Sequence, residues 1–493
     1  MANLNELQER AEIQEFTIQK DPRDIAEIIV KQKPKILGLS VYIWNAQESL
    51  TLVSLIKKVA PEIVIVLGGP EVSHESEGQS ICQIADFTIK GEADFLFYEF
   101  CRDFLMEGKL PDKKILSGML PDIKQIKMPY DLYTDEDIKN RVIYVEVSRG
   151  CPYRCEYCLS SLDKSVRNFD LSDFLAHMQS LLDRGARQFK FIDRTFNLTP
   201  LTCITILQFF YSQIHLGLFL HFEMVPDRLP LEIRDLVKKF PPGSLQFEIG
   251  IQTWNPEVAK LVSRRNDYTK VKDNFHFLAN ETGVHTHADL IAGLPGEDIH
   301  SFAEGFDTLS ALRPNEIQVG ILKRLKGAPI ARHDLEWEMV YSDQPPFQIL
   351  RTKSMDFETL QIMNRFAKYW DLYANSGVFK KFVDILRAQA EKEEDKSFFW
   401  EFYRFNDFLS QRYAQSYGIS QTSLFESAYI YLIDYLDHSE ESAQEIILED
   451  YRATGKSELP KFFNRSQGPK APRQPRPHIP KRQQRHLAGA NSQ

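Results

Sequence analysis

Three of the six cysteines of this chain lie within eight positions, in the stretch EVSRGCPYRCEYCLSS. The spacing is C-x3-C-x2-C, formed by Cys151, Cys155 and Cys158. Thiolates are soft ligands that select zinc or iron–sulfur clusters. A structural zinc site takes four protein ligands, but the next cysteine, Cys203, follows 45 residues later, and the nearest downstream histidine, His177, lies in a predicted helix. Three thiolates on one short loop can instead hold three irons of a four-iron cluster and leave the fourth iron open to a small molecule.

The elements around these cysteines predict a partial barrel over residues 141–330. Amphipathic helices alternate with six predicted strands: 142–148, 189–193, 220–225, 245–252, 287–293 and 317–325. Six β/α units are too few for a closed eight-stranded barrel but enough for a partial (β/α)6 barrel. Barrel sheets place their chemistry at the C-terminal ends of the strands, and the cysteines follow the first strand directly.

Residues 1–125 predict a separate α/β domain with a doubly wound, Rossmann-like parallel sheet. Predicted helices at 24–31 and 47–59 lie between strands at 15–18, 36–43, 63–69 and 86–91. Ligands of such sheets bind in the loops that follow the strands. Residues 126–140 form the expected linker to the barrel.

From about residue 331 the strand signals stop, and helical patterns rich in aromatic residues predict a helical domain to residue 463. Residues 464–493 are basic and Pro-rich, which predicts a disordered tail that either binds an anionic partner or has no role. From Lys461 to the end the chain has eight basic residues and no acidic residue, so the net charge of −9 leaves about −17 on the rest of the chain. That charge argues against nucleic-acid binding.

Targeting signals and membrane spans are not evident in the sequence. No stretch at the start has a basic region, an apolar core and a cleavage site, and the apolar window 204–222 is broken by polar residues and fits a buried helix followed by a strand. Six cysteines in 493 residues do not form a disulfide framework. We therefore expect a cytoplasmic protein.

The cysteine motif after a first barrel strand, with Tyr157 just before the last cysteine, resembles that of the radical S-adenosylmethionine (SAM) superfamily. The resemblance implies that Cys151, Cys155 and Cys158 hold a [4Fe-4S] cluster whose open iron is chelated by SAM. In that superfamily, electron transfer from the cluster cleaves SAM to a 5′-deoxyadenosyl radical. The resemblance covers the predicted barrel.

The same resemblance implies a set of SAM contacts at the ends of the predicted strands. Asp193 stands where the family often has an acidic residue near the methionyl amine, and Glu223 and Gln252 stand where ribose or carboxylate contacts occur. Gly293 in DLIAGLPGE would let the backbone approach the adenosyl group. Each of these residues could instead be an ordinary barrel residue, and the dipeptide at 264–265 is either a carboxylate clamp or a solvated pair of arginines.

The first domain, with SVYIWN after one strand and GGPEVS after the next, resembles the cobalamin-binding domain of cobalamin-dependent radical SAM proteins. The resemblance implies that Ser40, Gly68, Gly69 and Pro70 contact cobalamin. The helical C-terminal part resembles an uncharacterised extension in one branch of that subgroup. The D-x-H-x-x-G motif of other cobalamin proteins is absent, since His74 has different neighbours.

The beginning of the chain departs from that pattern, because residues 15–18 correspond to the family's second strand and the first strand is not present. In the 2-1-3-4-5 order of such sheets the first strand is central. The N-terminus therefore looks truncated, and we expect a gap in the sheet with one wall of the cofactor site missing. The domain would otherwise be a scaffold without a cofactor.

The leading hypothesis is a radical SAM enzyme that acts on a small-molecule substrate and receives electrons from a donor such as flavodoxin or ferredoxin. Cobalamin-dependent methyl transfer is the favoured reaction, and cobalamin-assisted cyclisation or rearrangement and cobalamin-independent hydrogen abstraction are the alternatives. A rival of another class is a non-catalytic protein with structural zinc on the cysteines. A cluster that serves only electron transfer is a further alternative. His285, His287 and Asp289 alternate along the chain at the fifth predicted strand and would share one face of it. They are either metal ligands, core residues or residues that face the substrate.

Overall fold

The computed structural model describes residues 1–455 and 461–464. The first domain contains a four-stranded parallel sheet with strand order β1-β2-β3-β4. Its strands are β1 (Ile36–Ser40), β2 (Val64–Gly68), β3 (Phe87–Lys90) and β4 (Ile115–Ser117). Its helices are α1 (Pro22–Gln32), α2 (Ala46–Val59), α3 (Ser80–Ile84) and α4 (Leu96–Glu107). The sheet is covered on both faces, as the doubly wound prediction requires.

Three details of the sheet differ from the prediction, and the first is that its fourth strand, β4, was not predicted. Residues 15–18 form no strand, and the four strands are contiguous, so the predicted gap is wrong. In the expected order, residues 15–18 would pair with a central strand that the described residues do not supply. A strand without a ladder partner leaves its backbone groups unpaired, whereas the remaining strands can pair directly with one another. As a result, β1 is the edge of the sheet, and each of its five residues is half-buried or exposed.

The second domain is the predicted partial barrel. Its sheet has the order β12-β11-β10-β9-β8-β5, and every pair is parallel. These strands are β5 (Ile143–Val145), β8 (Gln188–Phe191), β9 (Phe219–Met224), β10 (Leu245–Gln252), β11 (His285–Ala292) and β12 (Glu316–Ile321). Short α5 (Asp135–Asn140) lies in the linker. The outer helices are α6 (Leu171–Asp183), α7 (Pro200–Ser212), α8 (Leu231–Val237), α9 (Pro256–Leu261), α10 (Tyr268–Glu281) and α11 (Ile299–Ala311).

Burial alternates strictly along the central barrel strands and separates two faces of the sheet. In β10 and β11, every second residue is buried against the helices and the residues between them are half-buried. Because successive side chains of a strand point to opposite faces, the half-buried set lines the barrel lumen. The residues on this face are mostly polar or charged, with Phe219 and Ile291 as apolar exceptions. The polar and charged ones are Lys190, His221, Glu223, Gln246, Glu248, Gln252, His285, His287, Asp289, Glu316 and Gln318.

The cysteines lie on a loop whose base is a two-residue antiparallel ladder. Strands β6 (Ser148–Arg149) and β7 (Arg167–Asn168) pair Arg149 with Arg167. Inside the loop, Gly150 has a φ of +91°, and a β-carbon there would lie 2.1 Å from the carbonyl oxygen of Ser165. Only glycine accommodates both the backbone conformation and this close approach, so Gly150 directs the chain into the cysteine loop.

The C-terminal region is helical as predicted, although a short antiparallel hairpin precedes the helices. The hairpin consists of β13 (Val340–Tyr341) and β14 (Ile349–Arg351), so the expectation that strands end before residue 331 is wrong here. The helices are α12 (Phe357–Trp370), α13 (Lys380–Ala390), α14 (Phe398–Arg412), α15 (Gln421–Asp434) and α16 (Glu440–Ala453). Nearly all of the tail prediction, from residue 465 onward, lies outside the described residues.

The helical region seals the open edge of the barrel sheet. The side-chain amide of Asn375 donates to the carbonyl oxygen of Ile317 at 3.0 Å and accepts from its amide nitrogen at 3.0 Å, as a further strand would. The Asp307 carboxylate of α11 accepts from the amide of Phe399 at the start of α14. These contacts make the C-terminal region one wall of the barrel. Among the described residues, no helix combines the length and apolarity that crossing a membrane requires.

Candidate functional site: a cysteine-lined cleft

The cysteine loop is attached at its base to the first domain by a network of ion pairs. Glu92, in the loop after β3, binds the guanidinium groups of both Arg149 and Arg167, with 2.8 Å to Arg149. Arg149 also binds Asp94 at 2.9 Å and Glu146 at 2.7 Å. All of these side chains are about four-fifths buried. The C-terminal edge of the first domain's sheet therefore lies directly against the loop that carries the cysteines.

A second anchor lies inside the motif, at Glu156 between two of the cysteines. Its buried carboxylate accepts from Ser263, forms an ion pair with Arg332 at 2.6 Å and is hydrogen-bonded to His333 at 2.9 Å. The backbone of Glu156 bonds to Val262 and to Ile330 as well. This acidic residue therefore ties the loop to the barrel and to the segment that leads into the C-terminal region.

The three cysteine side chains line one cleft of about 180 Å³, which opens to solvent at the C-terminal ends of the barrel strands. Cys151 and Cys155 are buried, Cys158 is half-buried, and all three are free thiols. Nη1 of Arg264 lies 3.6 Å from Sγ of Cys155 and donates to the hydroxyl of Tyr157 at 3.2 Å, and the hydroxyl of Thr195 is 3.8 Å from Sγ of Cys151. A guanidinium beside a cysteine stabilises the thiolate form that metals bind.

The chemistry of the donor set favours an iron–sulfur cluster over a structural zinc. A structural zinc takes four protein ligands, usually Cys or His, and among the described residues that line the cleft three are cysteines and none is a histidine. The donor set of three thiols beside an open cleft therefore fits the cluster that the motif predicts.

Three of the residues predicted to contact SAM line this cleft together with the cysteines. They are Tyr157, Glu223 and Gln252. Gln252 stands at a bulge in the ladder with β11 and has a φ of +73°, which is uncommon outside glycine. Burial raises the pKa of Glu223, whose nearest cation is Arg194 at 3.7 Å. Contact of these residues with SAM remains a prediction.

The other two predicted contacts, Asp193 and Gly293, are not among the residues that line the cleft. The carboxylate of Asp193 accepts from the amide of Val147 at 3.0 Å and from the hydroxyl of Ser148 at 2.6 Å. It holds the end of β5 where the cysteine loop begins, and burial raises its pKa to about 6. A β-carbon on Gly293 would meet Ile349 at 2.7 Å, so this glycine allows the hairpin β13–β14 to pack on the barrel.

The residues predicted to contact cobalamin lie at the C-terminal edge of the first domain's sheet. Ser40 is exposed at the end of β1, and a β-carbon on Gly68 would meet nothing within 4 Å, so these two leave open space for a flat ligand. Gly69 has a φ of +100°, and its β-carbon would lie 2.5 Å from the carbonyl oxygen of Val41, so its glycine is required by the domain itself. Pro70 follows at the turn. The exposure of Ser40 and the open space at Gly68 suit a cobalamin site, whereas the glycine at position 69 is explained by the packing of the domain alone.

The neighbouring loops add two features to this edge. The rings of Tyr42 and Trp44 stack at 4.3 Å, and the Trp44 side chain is largely exposed. Glu71 is buried against Lys326, with 2.5 Å between the carboxylate and the ammonium nitrogen, after the last barrel strand. The edge where cobalamin is expected therefore carries an exposed aromatic surface and faces the barrel.

The lumen contains charged residues that the sequence did not single out, Glu248 with its partners, beside Asp289, which it did. Glu248 accepts from His221 at 3.0 Å and lies 3.7 Å from Lys190. Asp289 lines the cleft, and its Oδ1 atom is buried without a hydrogen-bond partner. The period-two alternation of β9, β10 and β11 was the signal that could have found them, because it places every second residue in the lumen.

In this structure, the loops of a doubly wound domain contact a partial barrel that carries the cysteine loop. This arrangement is typical of proteins that combine a cofactor-binding domain with a metal-cluster domain. Comparison with family models gives the same division. Residues 7–100 match the B12 binding domain, residues 145–309 match the radical SAM superfamily, and residues 335–488 match a protein family of unknown function, DUF4080. The chain thus carries a radical SAM domain between a B12 binding domain and a DUF4080 domain, as the motifs predicted.

Named relatives agree with this division at low identity. The chain is 27% identical over 303 residues to the "Uncharacterized methyltransferase PH0819" of Pyrococcus horikoshii, which covers 56% of this chain and 63% of the relative. It is 23% identical over 352 residues to the "Cobalamin-dependent radical SAM methyltransferase TokK" of Streptomyces tokunonensis, covering 62% of this chain and 49% of the relative. The chain thus spans less than two thirds of the length of each of these relatives.

Among solved structures, the fold is similar to that of the cobalamin-dependent S-adenosylmethionine radical enzyme OxsB with aqua-cobalamin bound. The TM-score is 0.58 at 13% identity, and the match covers 89% of this chain and 74% of that one. At this identity the likeness concerns the fold. It extends beyond the barrel, since the radical SAM domain alone spans residues 145–309.

Proposed function

We propose that this chain is a radical SAM enzyme in which Cys151, Cys155 and Cys158 hold a [4Fe-4S] cluster and SAM binds in the adjoining cleft. The observation that carries the proposal is that three free thiols line one cleft at the C-terminal edge of the barrel. When bound, such a cluster supplies the electron that cleaves SAM reductively. The protein's part is to position the reactants and exclude water from them.

Different residues around the cleft contribute to this positioning. Gly150 and the β6–β7 ladder direct the loop, and Glu156 anchors it from within the motif. Arg264 places a positive charge beside Cys155. Tyr157, Glu223 and Gln252 are proposed to orient SAM. The electron donor is proposed to be a flavodoxin or a ferredoxin, and the reducing cytoplasm suits a protein with free, buried thiols.

Cobalamin-dependent methyl transfer to a small-molecule substrate is the favoured reaction. The match to a B12 binding domain, the open space at Gly68 and the position of that domain against the cysteine loop support it. Relatives named as methyltransferases support it as well. Methyl transfer consumes one SAM to S-adenosylhomocysteine beside the SAM cleaved to 5′-deoxyadenosine.

The test uses protein purified without oxygen, with the cluster rebuilt, and supplied with dithionite and SAM, with and without hydroxocobalamin. Mass spectrometry measures 5′-deoxyadenosine and S-adenosylhomocysteine. We expect deoxyadenosine from the unaltered protein and from Cys203→Ala, a buried cysteine outside the cleft, but none from Cys155→Ala. S-adenosylhomocysteine that requires cobalamin supports methyl transfer. Its absence in the presence of deoxyadenosine favours the two alternatives, cobalamin-assisted cyclisation or rearrangement and cobalamin-independent hydrogen abstraction. Zinc instead of iron in the purified protein would refute the proposal.

A further inference from the structure

The cysteine motif contains one buried carboxylate, that of Glu156, which lies between Cys155 and Cys158 and is 4% exposed. A carboxylate is buried only where hydrogen bonds and positive charges compensate for the water it has lost. The partners of Glu156 therefore show which parts of the chain hold the loop in place.

Some of these partners belong to the barrel. The hydroxyl of Ser263 donates to the Glu156 carboxylate, and the backbone amide of Glu156 donates to the carbonyl oxygen of Val262 at 3.1 Å. Both residues directly follow α9. These contacts lie within the domain that carries the cysteines, and they leave the charge of the carboxylate uncompensated.

The positive charge comes from a short 3₁₀ helix at Pro329–His333, immediately before the region that matches DUF4080. Arg332 pairs with the Glu156 carboxylate at 2.6 Å, and His333 is hydrogen-bonded to it at 2.9 Å. The amide of Ile330 donates to the carbonyl oxygen of Glu156 at 2.9 Å. This helix therefore holds both the side chain and the backbone of the residue between two of the cysteines.

The C-terminal region fixes this helix in turn. The amide of Trp337 donates to the carbonyl oxygen of His333 at 3.0 Å, and the carbonyl oxygen of Trp337 accepts from the amide of Lys353 at 2.7 Å, just after β14. A continuous path of hydrogen bonds thus runs from the region that matches DUF4080 to the cysteine motif.

We propose that the C-terminal region is part of the cluster site: the helix Pro329–His333 positions Cys155 and Cys158 by holding Glu156, and the Glu156 charge lowers the reduction potential of the cluster. The inference rests on the proposed function for the cluster itself, and it gives the region that matches DUF4080 a role in holding and tuning it. The potential of a cluster depends on the net charge around it, and a nearby negative charge disfavours the added electron.

The first test measures how firmly the loop holds iron, by following iron release from the reconstituted protein to the chelator bathophenanthroline disulfonate without oxygen. The double variant Arg332→Gln with His333→Phe leaves the buried carboxylate without its charged partner, and the loop has to open to solvate it. We expect iron release at least about tenfold faster than from the unaltered protein, a ratio equal to about 1.4 kcal/mol.

A matched control exists in the C-terminal region, far along the chain from the cysteines. Glu401 is 1% exposed and is held by Arg404 at 2.5 Å and by the hydroxyl of Tyr431. Arg404→Gln with Tyr431→Phe should lower the melting temperature as the first pair does, but it should leave iron release unchanged. Unchanged release from the first pair, or equal acceleration in the control pair, overturns the inference.

The second test measures the reduction potential of the cluster by a redox titration followed by electron paramagnetic resonance. Glu156→Gln keeps the side-chain shape and removes the negative charge, so the potential should rise. Arg332→Gln with His333→Phe keeps the carboxylate and removes a positive charge, so the potential should fall. A loop that is merely loosened shifts both variants in one direction. Opposite shifts are therefore the expected result, and any other pattern overturns the role of the Glu156 charge.

The same samples separate this inference from the proposed function. Formation of 5′-deoxyadenosine by the unaltered protein, with iron release that the first pair does not alter, refutes only the role of the C-terminal region. Failure of the unaltered protein to take up iron on its cysteines refutes the proposed function itself.

Discussion

Replacing Glu92 with Gln should loosen the cysteine loop without unfolding the barrel. The substitution keeps the shape of the side chain and removes the charge that bridges Arg149 and Arg167 across the base of the loop. Both arginines keep other partners: Asp94 and Glu146 remain on Arg149, and Asp163 remains on Arg167. The perturbation is therefore local, and it acts on the contact between the B12 binding domain and the loop.

The expected magnitude follows from the burial of this network. Removing one partner of a fully buried ion pair costs about 3–5 kcal/mol, and one hydrogen bond to a charged group is worth about 1.5–3 kcal/mol. Glu92 is 22% exposed and its partners retain other carboxylates, so we expect the lower range, about 2 kcal/mol. At 1.4 kcal/mol per factor of ten, this cost corresponds to about 30-fold faster exchange through local opening.

Hydrogen–deuterium exchange read by mass spectrometry measures this opening. Peptides that cover residues 150–166 should exchange about 30-fold faster in Glu92→Gln, with peptides of α12 to α16 unchanged. The iron content after reconstitution should fall as well. Glu107→Gln, an exposed residue at the end of α4, makes the same charge change and should alter neither quantity. Unchanged exchange in the loop, or an equal acceleration throughout the chain, would contradict the idea that Glu92 holds the loop locally.

Three further predictions concern single side chains. In denaturant titrations, Gly69→Ala should lower the free energy of unfolding of the first domain by about 1–3 kcal/mol, because the positive φ of Gly69 and its close backbone neighbour exclude a β-carbon. The control Gly68→Ala should leave the free energy of unfolding unchanged. Equal effects of the two substitutions would refute this reasoning. Asn375→Ala should cost about 2 kcal/mol in the same assay, since it removes two hydrogen bonds to the edge-strand residue Ile317, and a neutral result would show that the strand edge finds other partners. Asp289→Asn should reduce the pH dependence of the melting temperature. The pKa of the Asp289 carboxyl is raised to about 8 in the folded protein, above its ordinary value of 3.8. The protonated carboxyl therefore contributes its full stabilisation of the folded state below about pH 4, and this stabilisation is lost as the pH rises through 8. Parallel pH profiles of the variant and the unaltered protein would contradict this.

The features that the sequence determined by itself are local ones. The cysteine motif could be predicted because its three thiols lie within eight positions of one loop, so their proximity does not depend on the fold. The barrel strands could be predicted because their apolar positions alternate with polar ones, and this alternation is set by the geometry of an extended chain. The match of the motif to its strand context then led to the correct domain families.

The features that only the tertiary structure decided depend on partners far away in the chain. Residues 15–18 have the composition of a strand but form none, because a strand needs a neighbour to accept its backbone hydrogen bonds. Asp193 ends a strand, as a cofactor ligand of this class would, yet its carboxylate bonds to the backbone at Val147, 46 residues earlier. The bridge from Glu92 to Arg149 spans 57 residues. Such pairings arise when packing brings separate elements together, and no local pattern encodes which charged residue will meet which.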